Sequence, residues 1–272
     1  MKLTPQQRAA FDRDGFLVLP NLLAVEEVAT LKRELARVAA VPDERIMREK
    51  DSNEPRIIYG LPDVGGPTFS PAYHALARDP RILQPILDLS GEGVSLFHIK
   101  CNFKEAITGE FWQWHQDYAN WRANDAAPEP RLITSMVMLD KATEMNGCLY
   151  FVPGSHRLGL VAPAWDDSST SYPLWTVGKQ SMIEITRKLG DPVPVVGEPG
   201  TVAIFHANMI HGSGHNMSPH ARWQIYLVYN PLSNPLGKVA KPRPDWQANR
   251  KAEPLHALGR PAITSADRLS PA

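Results

Sequence analysis

The chain has 272 residues, and its 29 Lys plus Arg are balanced by 29 Asp plus Glu. A net charge of zero argues against the basic footprint of a nucleic-acid binder and the polybasic patch of a membrane-surface protein. With 43% hydrophobic and 21% charged residues, the composition is globular rather than disordered. The length allows one or two domains. Cys101 and Cys148 are too few for a disulfide scaffold and point to a cytoplasmic setting. No apolar run has the length of a spanning helix, and the first residues carry no apolar signal core.

In chain order, Thr4 predicts a helix cap, with Pro5 in the first turn and Gln7 completing a capping box. Asp14-Gly15 predicts a turn, and Phe16–Leu19 a short strand stopped by Pro20. A second helix is expected over Val25–Ala39, where Val28, Leu31, Leu35 and Val38 recur at helical spacing. A shorter helix is expected around Arg81–Leu89. From Val94 the character changes to short β-branched and aromatic runs between Gly, Pro and Asn turns. Val94–Phe103, Leu132–Leu139, Cys148–Val152, Val202–Phe205 and Arg222–Tyr229 are the candidate strands of a sandwich or barrel. No internal repeat is visible. Residues 241–272, rich in Pro and without a periodic core, are expected to form an irregular tail after a domain spanning 1–240.

Three constellations could carry chemistry. His115 and Asp117 are two apart, so on an extended segment they share a face and could hold a divalent metal with open positions. The same triplet would also suit a surface histidine beside a solvated carboxylate. A third ligand could come from His206, His211 or His215. His206 ends an apolar run, His211 opens a stretch of small residues, and His215 lies among turn formers. Arg222 opens a strand on which Arg222, Gln224, Tyr226 and Val228 share one face, a placement suited to clamping a carboxylate. An Arg at a strand end can equally reach solvent. Phe111, Trp112, Trp114, Tyr118 and Trp121 crowd the first constellation, as pocket wall or as core.

Taken together, the H-x-D triplet, a histidine about ninety residues on and an arginine eleven residues after it resemble the iron(II)/2-oxoglutarate dioxygenases. The segments Leu3 to Pro20, Asn146 to Arg157 and Pro199 to His206 narrow the likeness to the phytanoyl-CoA dioxygenase family, over about residues 3–235. The stretch from His115 through Trp121 to Pro128, and that from His211 to Asn230, resemble its ectoine hydroxylase branch. Gln116 and Ala119-Asn120 depart from that branch.

The resemblance implies a double-stranded β-helix, a jelly roll of two sheets with N-terminal helices against one of them. It makes His115, Asp117 and His211 the iron ligands and Arg222 the anchor of the far 2-oxoglutarate carboxylate. Lys104, Trp121 and Ser213 become further cofactor contacts, while His156 and His206 fall at structural positions. The activity it implies is hydroxylation of a small metabolite, such as an amino acid or a derivative, with Fe(II), 2-oxoglutarate and O2. Desaturation, cyclisation or epimerisation of a natural-product intermediate by the same cofactors is the enzymatic alternative. A metal-free jelly-roll binding protein is the alternative of another class.

Overall fold

The computed structural model describes residues 2–49, 52–170 and 172–264. Thr4 caps helix α1 (Pro5–Asp14) in the expected box: its hydroxyl accepts from the Gln7 amide, and its own amide donates to the Gln7 side chain. Gly15 ends the helix at φ +83°, a left-handed turn that favours glycine. Strand β1 (Phe16–Leu19) follows, then α2 (Val25–Ala39), α3 (Pro71–Ala77) and α4 (Pro80–Ser90).

Strands β2 (Ile46–Arg48), β3 (Pro55–Tyr59), β4 (Val94–Asn102), β6 (Ile133–Met138), β11 (Val202–His206) and β13 (Gln224–Pro231) join β1 in one antiparallel sheet. Its order is β1-β11-β6-β13-β4-β3-β2. Strands β5 (Trp112–His115), β7 (Leu149–Phe151), β10 (Val193–Val195) and β12 (His211–Ser213) form a second sheet in the order β10-β7-β12-β5. The two facing antiparallel sheets are the sandwich that the strand pattern suggested and the jelly roll that the resemblance implied.

Alternation along β13 assigns the two faces of the large sheet. Ile225, Leu227 and Tyr229 belong to the core built with Leu31, Leu35, Tyr73 and Ile82 of the helical layer. Tyr226 points the other way, into the space between the sheets with Phe151 and Phe205. The helices therefore seal one face of the large sheet and leave the other to build a site. Arg81 fastens this layer by pairing with both Glu27 and Asp79 at 2.7 Å.

Several elements escaped the sequence reading. β2, β3 and β5 are too short to show a period. A hairpin of β8 (Pro163–Asp166) and β9 (Leu174–Val177) stands apart from both sheets, and α5 (Asp117–Asp125) and α6 (Lys179–Leu189) were also unforeseen. The segment from 241 has no helix or strand up to residue 262, yet it is tied down. Asn249 reaches the Phe97 and Leu96 carbonyls, the Leu255 amide reaches Val94, and Ala248 is buried. The end of that segment, 265–272, lies outside the described residues.

Leu35 is fully buried where α2 meets the sheet. Leu35→Ala is expected to lower unfolding free energy by about 2–5 kcal/mol, read as a lower denaturant midpoint with an unchanged slope.

Candidate active site and metal centre

Antiparallel pairing of β12 with β5 sets His211 directly opposite His115. Their rings lie 4.1 Å apart between centroids. Asp117 joins them by a different route from the one its spacing suggested. The extended segment ends at His115, and Asp117 is the first residue of α5, so the chain turns between the two ligands instead of running straight. Gln116 holds that turn. Its amide group donates to the Gly159 and Asn208 carbonyls and accepts from the Val161 amide. The Tyr118 amide adds a bond to the Ala207 carbonyl. The start of α5 is thus pinned to the loop that leads into His211.

One ligand atom from each of His115, Asp117 and His211 lies within 4.8 Å of the others, and all three residues are buried. His115 Nε2 is 3.7 Å and His211 Nε2 is 3.9 Å from the Asp117 carboxylate. Each imidazole donates from Nδ1 to a backbone carbonyl, Gln113 at 2.6 Å and Met209 at 2.9 Å. Those bonds fix the tautomer, so both Nε2 lone pairs face the shared point, as metal-binding histidines require. Burial, and then the nearby His115, lower His211 to about 4, which keeps it neutral at pH 7. Burial works against the Asp117 carboxylate, but the nearby His115, His211 and Lys100 together outweigh it and hold its pKa well below the usual range. Two imidazoles and one carboxylate with room on the remaining side make a facial set suited to Fe(II).

The other candidate histidines do different work. His206 accepts the Asn208 amide on Nδ1 and stacks near His156, and His215 sits against Phe111. Among the aromatics, Trp112 and Trp121 line the cavity at the triad, whereas Trp114 packs beside Val152 and Met182, and Tyr118 hydrogen-bonds the Ala127 and Pro128 carbonyls.

Lys104, Ser213 and Arg222 do not line this cavity; they form a second buried cluster joined to it. Lys104 and Arg222 are each 1% exposed and exchange backbone hydrogen bonds. Lys104 Nζ donates to Ser213 Oγ at 2.8 Å and to the Gly214 carbonyl. Gly147, at φ +71°, closes the cluster: a Cβ there would stand 2.5 Å from the Gly214 carbonyl and 2.9 Å from Lys104 Nζ. Arg222 donates to Gln224 Oε1, which also accepts from Tyr226 at 2.9 Å, and Tyr226 borders the metal cavity. Burial, then the charges of Arg222 and Arg56, push Lys104 well below its usual pKa. Arg222 Nε and Gln224 Nε2 are buried without a hydrogen-bond partner among the described residues. Two adjacent buried basic side chains, with orphaned donors on Arg222 and Gln224, are costly by themselves and fit a bound carboxylate.

The sequence reading missed the rest of the wall. His98, Lys100 and Asn102 all border the cavity from β4. Their two-residue spacing inside an otherwise apolar strand was the available signal. Tyr59, Tyr172 of the hairpin and Arg243 of the C-terminal segment complete that wall. Arg243 is paired with Asp125, Nε to Oδ1 at 2.9 Å. Nothing in their local sequence marks these three.

Comparison with known proteins places the chain among relatives. A family model described as phytanoyl-CoA dioxygenase (PhyH) matches residues 11–223. The ectoine dioxygenase of Sphingopyxis alaskensis is 36% identical over 265 residues, covering 93% of this chain and 84% of that protein. The ectoine dioxygenase of Nocardia farcinica is 33% identical over 264 residues, covering 92% and 86%. The crystal structure of EctD from Sphingopyxis alaskensis with 2-oxoglutarate and 5-hydroxyectoine superposes with a TM-score of 0.81 at 32% identity, covering 95% of this chain and 88% of that one.

His115→Ala, Asp117→Ala and His211→Ala are each expected to abolish stoichiometric Fe(II) binding in anaerobic titration. His206→Ala is expected to retain it in whatever protein folds. Metal loss in His206→Ala with retention in His211→Ala would reassign the third ligand.

Proposed function

The chain belongs to the phytanoyl-CoA dioxygenase family, and from that premise we propose the roles of its residues. It is an iron(II)- and 2-oxoglutarate-dependent dioxygenase, a hydroxylase of a small metabolite. In our reading His115, Asp117 and His211 hold the iron, and Arg222, helped by Lys104 and Ser213, receives the far carboxylate of 2-oxoglutarate. The observation that carries this assignment is the junction of a three-residue site with a pair of buried basic side chains, Lys104 and Arg222, that no carboxylate pairs among the described residues.

With both groups bound, the iron supplies the oxidising chemistry, in which O2 is divided between 2-oxoglutarate, released as succinate and CO2, and the hydroxylated substrate. The chain's own residues provide geometry and dryness. The Gln113 and Met209 carbonyls orient the two imidazoles. Gln116 holds the turn that aims Asp117. Gln224 and Tyr226 link the Lys104–Arg222 cluster to the cavity, so that the co-substrate's two ends are registered against each other. Trp112, Trp121, Leu149 and Leu174 supply the apolar part of the cavity wall that keeps water from the reacting carbon.

The substrate is, on this reading, a compact polar metabolite of the ectoine or amino-acid kind. Lys100, Asn102 and Arg243 offer it charge and hydrogen bonds within a confined cavity, and Trp121 offers it a flat face. Trp121 is thereby a substrate-side residue more than a cofactor contact. Residues 1–240 are taken as one catalytic domain, with the segment beyond contributing Arg243 to its wall. No described helix is long and apolar enough to cross a membrane. Cys101 and Cys148 are buried and unpaired, which supports a cytoplasmic setting.

The test is succinate release from 2-oxoglutarate under a panel of ectoine, free amino acids and acyl-CoA thioesters. Stimulation by the first two classes is expected, and stimulation by thioesters alone would overturn the substrate class. Arg222→Ala is expected to raise the 2-oxoglutarate KM about ten- to a hundredfold, the equivalent of losing one charge-assisted bond. Arg222→Lys should recover part of that loss, since it keeps the charge without the fork. An unchanged KM would move the anchor to Lys104.

A further inference from the structure

β5 is an outer strand of the small sheet: β12 pairs one of its edges, and among the described residues no strand of that sheet pairs the other. A side chain of the large sheet braces it instead. Arg56 of β3 is 2% exposed. Its Nη1 pairs with Glu49 at 2.8 Å and with Glu110, two residues before β5. Its Nη2 donates to the Phe111 carbonyl at 3.5 Å, and its guanidinium carbon stands 4.5 Å from the centre of the Trp112 ring. Tyr172 packs against the same indole at 5.3 Å between centroids, and Ile57 and Tyr59 join it in one buried cluster. A planar guanidinium committed to two carboxylates has little freedom of its own, so it holds the ring it stacks on.

The ring it holds stands at a boundary. Trp112 borders the cavity at the triad, of about 40 Å³, and also an open groove of about 870 Å³ walled by Phe111, Trp114, Tyr150 and Met182. Trp112 is the one described residue that lines both spaces. We propose that Arg56 is a positioning residue that keeps Trp112 shut as the partition between the reaction cavity and the outer groove. Arg56 does not border the triad cavity and acts through the indole. Shut, the partition keeps the groove's water from the reacting carbon, so that each 2-oxoglutarate consumed yields a hydroxylated product. This role in the reaction rests on the reading of the chain as a dioxygenase acting on a small metabolite.

The experiment reads Trp112 directly. In protein labelled with 5-fluorotryptophan, its 19F resonance is identified by its loss in Trp112→Phe. With diamagnetic Zn(II) in place of iron and 2-oxoglutarate bound, a dissolved nitroxide is expected to relax this resonance only weakly in the wild type. In Arg56→Met, which keeps the stem and loses the charge, the relaxation should rise about two- to fivefold, the equivalent of one cation–π contact. Arg56→Lys, which keeps a cation without the fork, should lie between, and it carries the comparison by itself if Arg56→Met does not fold. The second readout is hydroxylated product per succinate in the Fe(II) enzyme, with ectoine or L-proline, whichever the wild type accepts. That ratio should fall about two- to fivefold in Arg56→Met, with stoichiometric Fe(II) binding retained. A Trp112 resonance no more exposed in the variants than in the wild type overturns the proposal. So does a change shared alike by all seven tryptophans, which marks a fold defect, and so does a freed ring with an unchanged product ratio. If neither compound stimulates succinate release in the wild type, the small-metabolite reading fails and the shielding role falls with it. A failure confined to the NMR comparison leaves that reading standing.

Discussion

The pairing of β5 with β12 is the constraint on which the rest of the molecule depends. It sets two imidazoles face to face on adjacent strands, where the ladder hydrogen bonds allow only small displacements. A slip of one residue in β12 would turn the His211 ring to the opposite side of the sheet and separate it from His115 and Asp117. The surrounding structure opposes such a slip. β7 pairs the other edge of β12, with Phe151 opposite His211, and Gln116 bridges from the β5 side to the loop before β12. The helical layer acts at longer range by closing one face of the large sheet, so that its polar residues have only the inter-sheet space in which to meet a ligand.

That space is divided electrically. Near the triad, burial and neighbouring charge keep His211 neutral and Asp117 ionised. Beyond Tyr226, Lys104 and Arg222 lie together and buried, with no carboxylate paired to either among the described residues. Binding of a doubly negative ligand to such a cluster would stabilise the fold by mass action.

Much of this was legible in the residues, for identifiable reasons. α2 showed itself through Val28, Leu31, Leu35 and Val38 because a helix buried on one side must repeat its apolar residues, and the box at Thr4 is a local device complete within four residues. The alternation from Arg222 to Tyr229 predicted the two faces of β13 correctly, although the strand itself begins at Gln224. The geometry at Asp117 was misjudged, since spacing of two implies a common face only while the chain stays extended, and here it turns. His98, Lys100 and Asn102 left a periodic trace that an overall apolar strand obscured. Tyr172 and Arg243 left none. Their place depends on where a hairpin and an irregular segment come to rest, which long-range contacts decide.

The route of the C-terminal segment has a consequence for how the enzyme comes into being. The whole triad has been synthesised once residue 211 is made, and the Lys104–Arg222 cluster once residue 224 is made. Arg243, which borders the cavity, and Gln247, whose carbonyl orients His98, come later and are carried by a segment without strand or helix of its own. The residues that meet at the triad are therefore made before those that finish the cavity wall, and that wall is the last part of the cavity to be completed during synthesis.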